Sequence, residues 1–210
     1  LFYAQTEYPG AQIVIKSHPE TVAGHRSGYF TPKDTSTQIS FADHNVSPWD
    51  LLEGAIAVYT VSSQLGFEAV MAGHRPVVFG QPFYTGWGLT DDQTPVQRRQ
   101  RGLTRAQLFA GAMILYPTWY DPFHDRLCSY EEAAATLTVA ANAWRDDYAG
   151  WVAADMRMWK RKPLQAFFGK PKPVSFATDA KAKARAAKKG RRLMRWATAP
   201  ADDTILVEDG

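Results

Sequence analysis

Two adjacent serines, Ser62 and Ser63, stand where an apolar stretch gives way to helix-forming residues, and they carry the chemistry most easily read from this 210-residue sequence. Residues 55–59 are mostly apolar and uninterrupted, which predicts a strand buried on both faces, and the run Gln64-Leu65-Gly66-Phe67-Glu68-Ala69 has helical character through Met71. A helix opening there presents unpaired N–H groups and about half a positive elementary charge at its N-terminus. Two hydroxyls at that point suit a phosphate. They suit a plainer purpose equally, because serine is a favoured N-cap in any protein. Glu68 is not at the N3 position of either serine, so it is not the reciprocal half of a capping box. A carboxylate one turn inside a phosphate-binding helix can reach a ribose hydroxyl; the alternative is a solvated helix glutamate.

The next candidates follow other predicted strands. Residues 11–15 read as a short strand ending in Lys16-Ser17-His18-Pro19-Glu20, where Pro19 forces His18 into an extended conformation. Ligands of open α/β sheets bind outside the carboxyl ends of the strands, so His18 and the serines can face one crevice. There His18 would stabilise a departing phosphate or donate a proton, and Lys16 would neutralise negative charge. Their plainer roles are a loop hydrogen bond and a solvated cation. A Gly/aromatic loop, Phe79-Gly80-Gln81-Pro82-Phe83-Tyr84-Thr85-Gly86-Trp87-Gly88-Leu89-Thr90, follows the next strand. Gln81, Tyr84 and Trp87 there can contact a base or sugar, or simply pack. Asn45 and Ser47 can bond a base, although Ser47-Pro48 also makes an ordinary helix N-terminus, the preferred reading.

Behind these residues stands a strand-turn-helix-strand-loop order, an α/β pattern with a parallel sheet. After the Gly/aromatic loop, Thr104 caps a predicted helix running to about Leu115, which Pro117 stops. Ser129 caps another that begins with Glu131 and Glu132 in its first turn and extends to about Tyr148. No internal repeat and no second His-Pro or Ser-Ser pair is present, which predicts one nucleotide site.

Composition sets the outer limits. The 45% hydrophobic content and seven tryptophans are ample for a core, and no apolar run approaches the roughly 18 residues of a transmembrane helix. Cys128 is the one cysteine, which excludes a disulfide framework or thiolate cluster and reads as a small packed hydrophobe. The net charge of +3 hides an asymmetry: residues 157–195 hold 14 Lys or Arg and one acid, Asp179, leaving 10 basic against 20 acidic residues elsewhere. Tryptophan and phenylalanine interleave with the first of these cations, and residues 181–192 are rich in Lys, Arg and Ala. An anionic membrane surface or a plain solvated linker fits such a tract, and nucleic acid is not expected.

Taken together, Lys-Ser-His-Pro-Glu, Gly28-Tyr29-Phe30, Asn45-Val46-Ser47-Pro48, the Ser-Ser-Gln-Leu-Gly-Phe-Glu-Ala helix start and the Gly/aromatic loop resemble the KpsC/LipB capsule polysaccharide biosynthesis family in order and spacing. Leu115-Tyr116-Pro117-Thr118-Trp119-Tyr120-Asp121-Pro122 resembles it too, and Val207-Glu208-Asp209-Gly210 resembles the opening of its second module. The resemblance implies a two-module retaining β-Kdo transferase of Gram-negative capsule assembly and export, peripheral at the cytoplasmic face of the inner membrane. CMP-Kdo would be the donor substrate and a lysophosphatidylglycerol-based Kdo linker the acceptor, with no metal or other cofactor. The expected fold is the Rossmann-like nucleotide-binding half of a GT-B glycosyltransferase module followed by a helical, basic linker. On this basis residues 1–150 form the C-terminal, CMP-sugar-binding half of the first module, residues 151–200 the linker, and residues 201–210 the first strand of the second module.

The implied nucleotide-binding set is Lys16, His18, Pro19, Ser62, Ser63, Gln64, Gly66 and Glu68, with Asn45, Ser47, Gln81, Tyr84 and Trp87 as sugar or base contacts. The family's nucleophilic Asp belongs to the other half of the module and is not among these residues, so the isolated fragment is expected to be inactive and to depend on the remainder of its polypeptide. Phosphate and ribose contacts alone do not name a base, so another nucleotide-sugar transferase or epimerase stays open, as does a noncatalytic lipid- or polyanion-binding scaffold.

Overall fold

The structure, a computed structural model, describes residues 1–43, 45–197 and 204–208, and divides into two compact units, Leu1–Pro117 and Thr118–Gly210. The first unit runs α1 (Phe2–Glu7), β1 (Ile13–Ile15), α2 (Pro19–Val22), β2 (Ile39–Phe41), α3 (Pro48–Glu53), β3 (Tyr59–Thr60), α4 (Gln64–Ala72), β4 (Val77–Val78), β5 (Asp91–Asp92) and α5 (Arg105–Phe109), which continues as a π-helical turn over Ala110–Leu115. β1 pairs with β2, and β3, β4 and β5 pair in that order, every pair parallel. The core of this unit joins Phe67 and Val70 of α4, Val78 of β4, Tyr84 and Leu108, with Trp87, Leu89 and Leu103 packed at its edge. Thr104 caps α5 as its spacing predicts, in a reciprocal capping box with Gln107.

The apolar stretch 55–59 is a strand only at its end. Tyr59 and Thr60 pair with β4, while Ile56 is exposed. Residues 56–58 instead line a cleft of about 430 Å³ at the amino ends of β3 to β5, together with Glu7, His74, Arg75 and Asp91. α3 closes in a turn at Gly54 and Ala55, and the Val58 carbonyl accepts from the Val77 N–H before the ladder begins at Tyr59.

The second unit comprises the hairpin β6 (Trp119–Asp121) and β7 (Arg126–Cys128), α6 (Tyr130–Asp147), β8 (Trp151–Ala154), α7 (Met158–Phe168), β9 (Ser175–Ala177), α8 (Asp179–Lys189), β10 (Arg192–Trp196) and β11 (Ile205–Val207). Ser129 caps α6 in a capping box with Glu132. The last four strands form one parallel sheet in the order β9-β8-β10-β11. A linker over residues 151–200 is therefore not what the chain builds; the reason lies in β8. Trp151 and Ala153 point into a core with Leu164, Val174 and Met194, while Val152 and Ala154 point into another with Ala182 and Ala186 of α8. A strand buried on both faces is the mark of a doubly wound sheet, and four residues with no polar side chain are too short a run to announce it. The division after Pro117 also falls earlier than a boundary at 150. Residues 201–203, Asp209 and Gly210 of the segment expected to open a second module lie outside the described residues, and within it Ile205–Val207 is a strand that pairs with β10 of this same sheet.

Asp121 closes the hairpin. Its buried carboxylate accepts bonds from the Phe123 and His124 N–H groups and from His124 Nδ1, the last at 2.6 Å. The His124 bond, reinforced by the backbone donors, holds the Asp121 carboxyl below its usual range. A group with a lowered folded-state value contributes its full stabilisation above the unfolded value of about 3.9 and loses it as pH falls through the lowered one. Thermal melting should thus show the midpoint falling as pH drops below about 4, with Asp121→Asn less stable at neutral pH and shallower in its acid decline.

Candidate functional site

The two serines divide their roles. Ser63 is the N-cap of α4, and its Oγ accepts from the Leu65 N–H at 3.2 Å. Its own N–H goes to Thr60 Oγ1, and its carbonyl accepts the Tyr84 hydroxyl at 2.6 Å. Ser62, exposed one residue earlier, makes no hydrogen bond with either its hydroxyl or its N–H among the described residues, and the Gln64 N–H is likewise unspent. Three donors thus remain at one turn, at the positive end of a nine-residue helix. Glu68, half-buried in the second turn of α4, has no hydrogen-bond or ion-pair partner among the described residues.

Tyr84 gives that turn its shape. The side chain is fully buried, with its hydroxyl pushed up to about 12 by burial. Gly66 makes room for it: a Cβ there would collide with the Tyr84 hydroxyl and ring. Gly80 performs the matching service one strand over, since a Cβ at Gly80 would strike the Val61 carbonyl that its N–H bonds. The Tyr84 ring therefore presents no face to a sugar or base, and the structure assigns it to positioning rather than contact. Trp87, half-buried, and Gln81, exposed, each spend a side-chain donor within the loop region. Trp87 Nε1 donates to the Phe83 carbonyl, its ring packs at the core edge, and Gln81 Nε2 donates to the Thr94 and Pro95 carbonyls.

His18 is the N-cap of α2, extended at φ −66° and ψ 142° as Pro19 requires, with Pro19 at the first helical position. Its Nδ1 accepts from the Glu20 N–H at 3.2 Å, which leaves the proton of the neutral ring on Nε2 and so creates an outward donor. Lys16 follows β1 directly and is half-buried. Ser47 caps α3 through the Trp49 N–H, the plainer of its two readings, and Asn45 is exposed with its N–H on Asp43 Oδ1. All of these residues follow the carboxyl ends of parallel strands, where such sheets bind ligands. No hydrogen bond or ion pair joins His18 to the serine turn among the described residues. No group of three His, Cys, Asp or Glu among them could hold a metal ion.

Arg99 is the residue that sequence reasoning passed over. Its Nη1 donates to the Pro82 and Thr85 carbonyls and to Thr85 Oγ1, and its guanidinium stands 5.5 Å over the Trp87 ring. Asp92 adds a second clasp, accepting from the Gly86 N–H and the Thr90 hydroxyl. The run Arg98-Arg99-Gln100-Arg101 is the one signal available, and it does not distinguish a loop clamp from a solvated stretch.

The sequence profile of the family described as "Capsule polysaccharide biosynthesis protein" matches residues 1–118, which include the whole of this site. The chain belongs to that family. Lipopolysaccharide-processing protein LpsZ of Rhizobium meliloti is 41% identical over 138 residues, 66% of this chain and 31% of LpsZ. Capsule polysaccharide modification protein LipA of Neisseria meningitidis serogroup B is 37% identical over 142 residues, 66% of this chain and 20% of LipA. The chain thus spans less than a third of the length of these curated relatives. Among solved structures it is similar to the β-Kdo 2,4 transferase of Thermosulfurimonas dismutans KpsC, with 38% identity and a TM-score of 0.60 over 65% of this chain and 43% of that one. It is also similar to the β-Kdo 2,7 transferase of the same KpsC, at 31% identity and a TM-score of 0.56 over 67% and 45% of the two chains. Within this capsule biosynthesis family the chain is a mixed α/β protein with parallel sheets, and its solved neighbours are Kdo transferases.

The geometry separates three substitutions by their effect on stability. In urea unfolding, Gly66→Ala should cost about 1–3 kcal/mol by overpacking Tyr84, partly recovered when Tyr84→Phe removes the colliding hydroxyl. Ser63→Ala should cost about 1 kcal/mol as a lost cap. Ser62→Ala should stay within about 0.5 kcal/mol of the parent.

Proposed function

We propose that this chain is the donor-binding half of a retaining β-Kdo transferase, a Rossmann-like half of a GT-B module, which transfers Kdo from CMP-Kdo to a lysophosphatidylglycerol-based acceptor in capsule biosynthesis. The observation that carries the proposal is the 38% identity to the β-Kdo 2,4 transferase, on a chain whose serine turn keeps three donors unspent. In this reading the Ser62 hydroxyl and the Ser62 and Gln64 N–H groups hold the CMP phosphate at the positive end of α4. As the bond from the sugar's anomeric carbon to the phosphate oxygen breaks, negative charge grows on CMP, and donors already in place stabilise it without reorganisation. The Nε2–H of His18 adds a further donor or delivers a proton, and Lys16 neutralises the phosphate or the sugar carboxylate. In the same reading Glu68, which has no partner among the described residues, accepts from the ribose hydroxyls.

The carboxylate nucleophile that retention demands comes from another part of a longer polypeptide, so the 210 residues alone bind donor without turning it over. The assembled enzyme works at the cytoplasmic face of the inner membrane, where its lipid acceptor lies. Calorimetric titration with CMP, UDP and GDP tests this. CMP should bind in preference to the other two, and Ser62→Ala, which leaves the fold intact, should weaken CMP by about tenfold, the value of a hydrogen bond to a charged group. A preference for UDP or GDP, or CMP binding indifferent to Ser62→Ala, would show that the serine turn is not a CMP site.

A further inference from the structure

The outward side of α7 is apolar where a solvated helix is expected to be polar. Leu164 is buried and Phe168 packs with it against the sheet, so the opposite arc carries Met158, Trp159, Lys162, Pro163, Ala166 and Phe167. All six are exposed, and only Lys162 is charged. Met158 is 76%, Trp159 61% and Phe167 77% exposed. Trp159 and Phe167 stand about 12 Å apart along the helix at 1.5 Å per residue. Two large rings in water on one short stripe, with a proline between them, are not the surface of a helix facing only solvent.

The charge around the stripe says what it faces. Arg157 precedes the helix and Lys170 and Lys172 follow it, all exposed, and residues 157–178 contain no acid. Lys172 stands 5.3 Å over the ring of Tyr148, which packs on Trp144, so further half-exposed aromatic surface continues beside the cations. A protein partner with an apolar patch would account for the rings but not for a one-signed collar. An anionic bilayer accounts for both: rings enter the headgroup boundary while lysines beside them reach lipid phosphates.

We infer that α7 is a docking surface for an anionic lipid bilayer, lying in the plane of the interface with Trp159 and Phe167 inserted. None of the described helices is long and apolar enough to cross a membrane, so contact through α7 is peripheral. Each cation near such a surface adds a binding increment that salt screens, and each buried ring adds one that salt leaves in place.

The experiment is co-sedimentation of the 210-residue chain with phosphatidylcholine vesicles containing 0 or about 30% phosphatidylglycerol, with far-UV circular dichroism confirming that each variant is folded. Binding should favour the anionic vesicles by at least about tenfold and weaken with salt. Trp159→Ala/Phe167→Ala should reduce it about tenfold or more, as should Lys162→Glu/Lys170→Glu. Lys181→Glu/Lys183→Glu, the same charge change placed on α8, should retain most of the binding. Absence of binding to both vesicle types, or equal loss from the α7 and α8 charge variants, would overturn the inference, and in the first case the stripe belongs to a protein surface. Because the reading of Ser62 plays no part here, failure of either proposal leaves the other standing.

Discussion

The hydrogen bond from the Tyr84 hydroxyl to the Ser63 carbonyl is the contact on which the candidate site depends. It ties the loop after β4 to the turn after β3, so the position of the helix N-terminus is set by a ring carried on the loop of the neighbouring strand. A buried phenol must find an acceptor, because leaving it unmade would cost about 1–3 kcal/mol, and the carbonyl at the helix start is the acceptor it finds. The demand propagates outward. Gly66 must lack a side chain for the ring to arrive, Gly80 must lack one for β3 and β4 to close, and Arg99 and Asp92 must hold the loop that carries Tyr84. Tyr84, which resembles a ligand contact in one dimension, is here the scaffold of a neighbouring turn, and Ser63 spends its hydroxyl, N–H and carbonyl on that scaffold while the donors of Ser62 and the Gln64 N–H stay free among the described residues.

What the sequence discloses follows from the range of the interaction concerned. Local chemistry was legible: the extended His18 before Pro19, the caps at Ser47, Thr104 and Ser129, a serine cap at 62 or 63 that the structure gives to Ser63, and α4 ending near Met71 all follow from preferences that act within four residues. Long-range pairing was not. Residues 55–59 have the composition of a strand, but pairing needs a partner, and the ladder with β4 takes in Tyr59 and Thr60, with the Val58 carbonyl accepting one bond from the Val77 N–H before it. Trp151-Val152-Ala153-Ala154 has the composition of almost anything, and becomes a central strand because β9 and β10 flank it. The aromatic residues of the Gly/aromatic loop mark the limit most clearly. Their type announces a surface for rings to use, and only the fold shows whether the ring that uses it belongs to a ligand or to the protein.

The basic tract shows the same limit for charge. As a sequence it is one block of positive charge, but the fold sorts it by residue type. Arg161 caps the Met156 carbonyl, Arg185 the Phe176 carbonyl and Arg191 the Pro173 carbonyl, while Arg192 pairs with Asp146 and Arg195 with Asp179. The guanidinium fork suits this work because it meets carbonyls and carboxylates at fixed angles with several donors at once. The lysines, with one compact charge on a flexible stem, stay mostly at the surface, along the outward side of α8 and around α7. Much of the block's arginine charge is therefore already committed to holding a four-stranded parallel sheet together, and the part available to an outside partner is smaller and more localised than the count implies. That localisation gives the two helices different characters: α8 is cationic without rings, a soluble face, whereas α7 sets its few cations around Trp159 and Phe167. Charge alone would draw both helices toward any polyanion, and it is the presence of rings within reach of the charges that separates a surface able to enter an interface from one that merely repels its own kind.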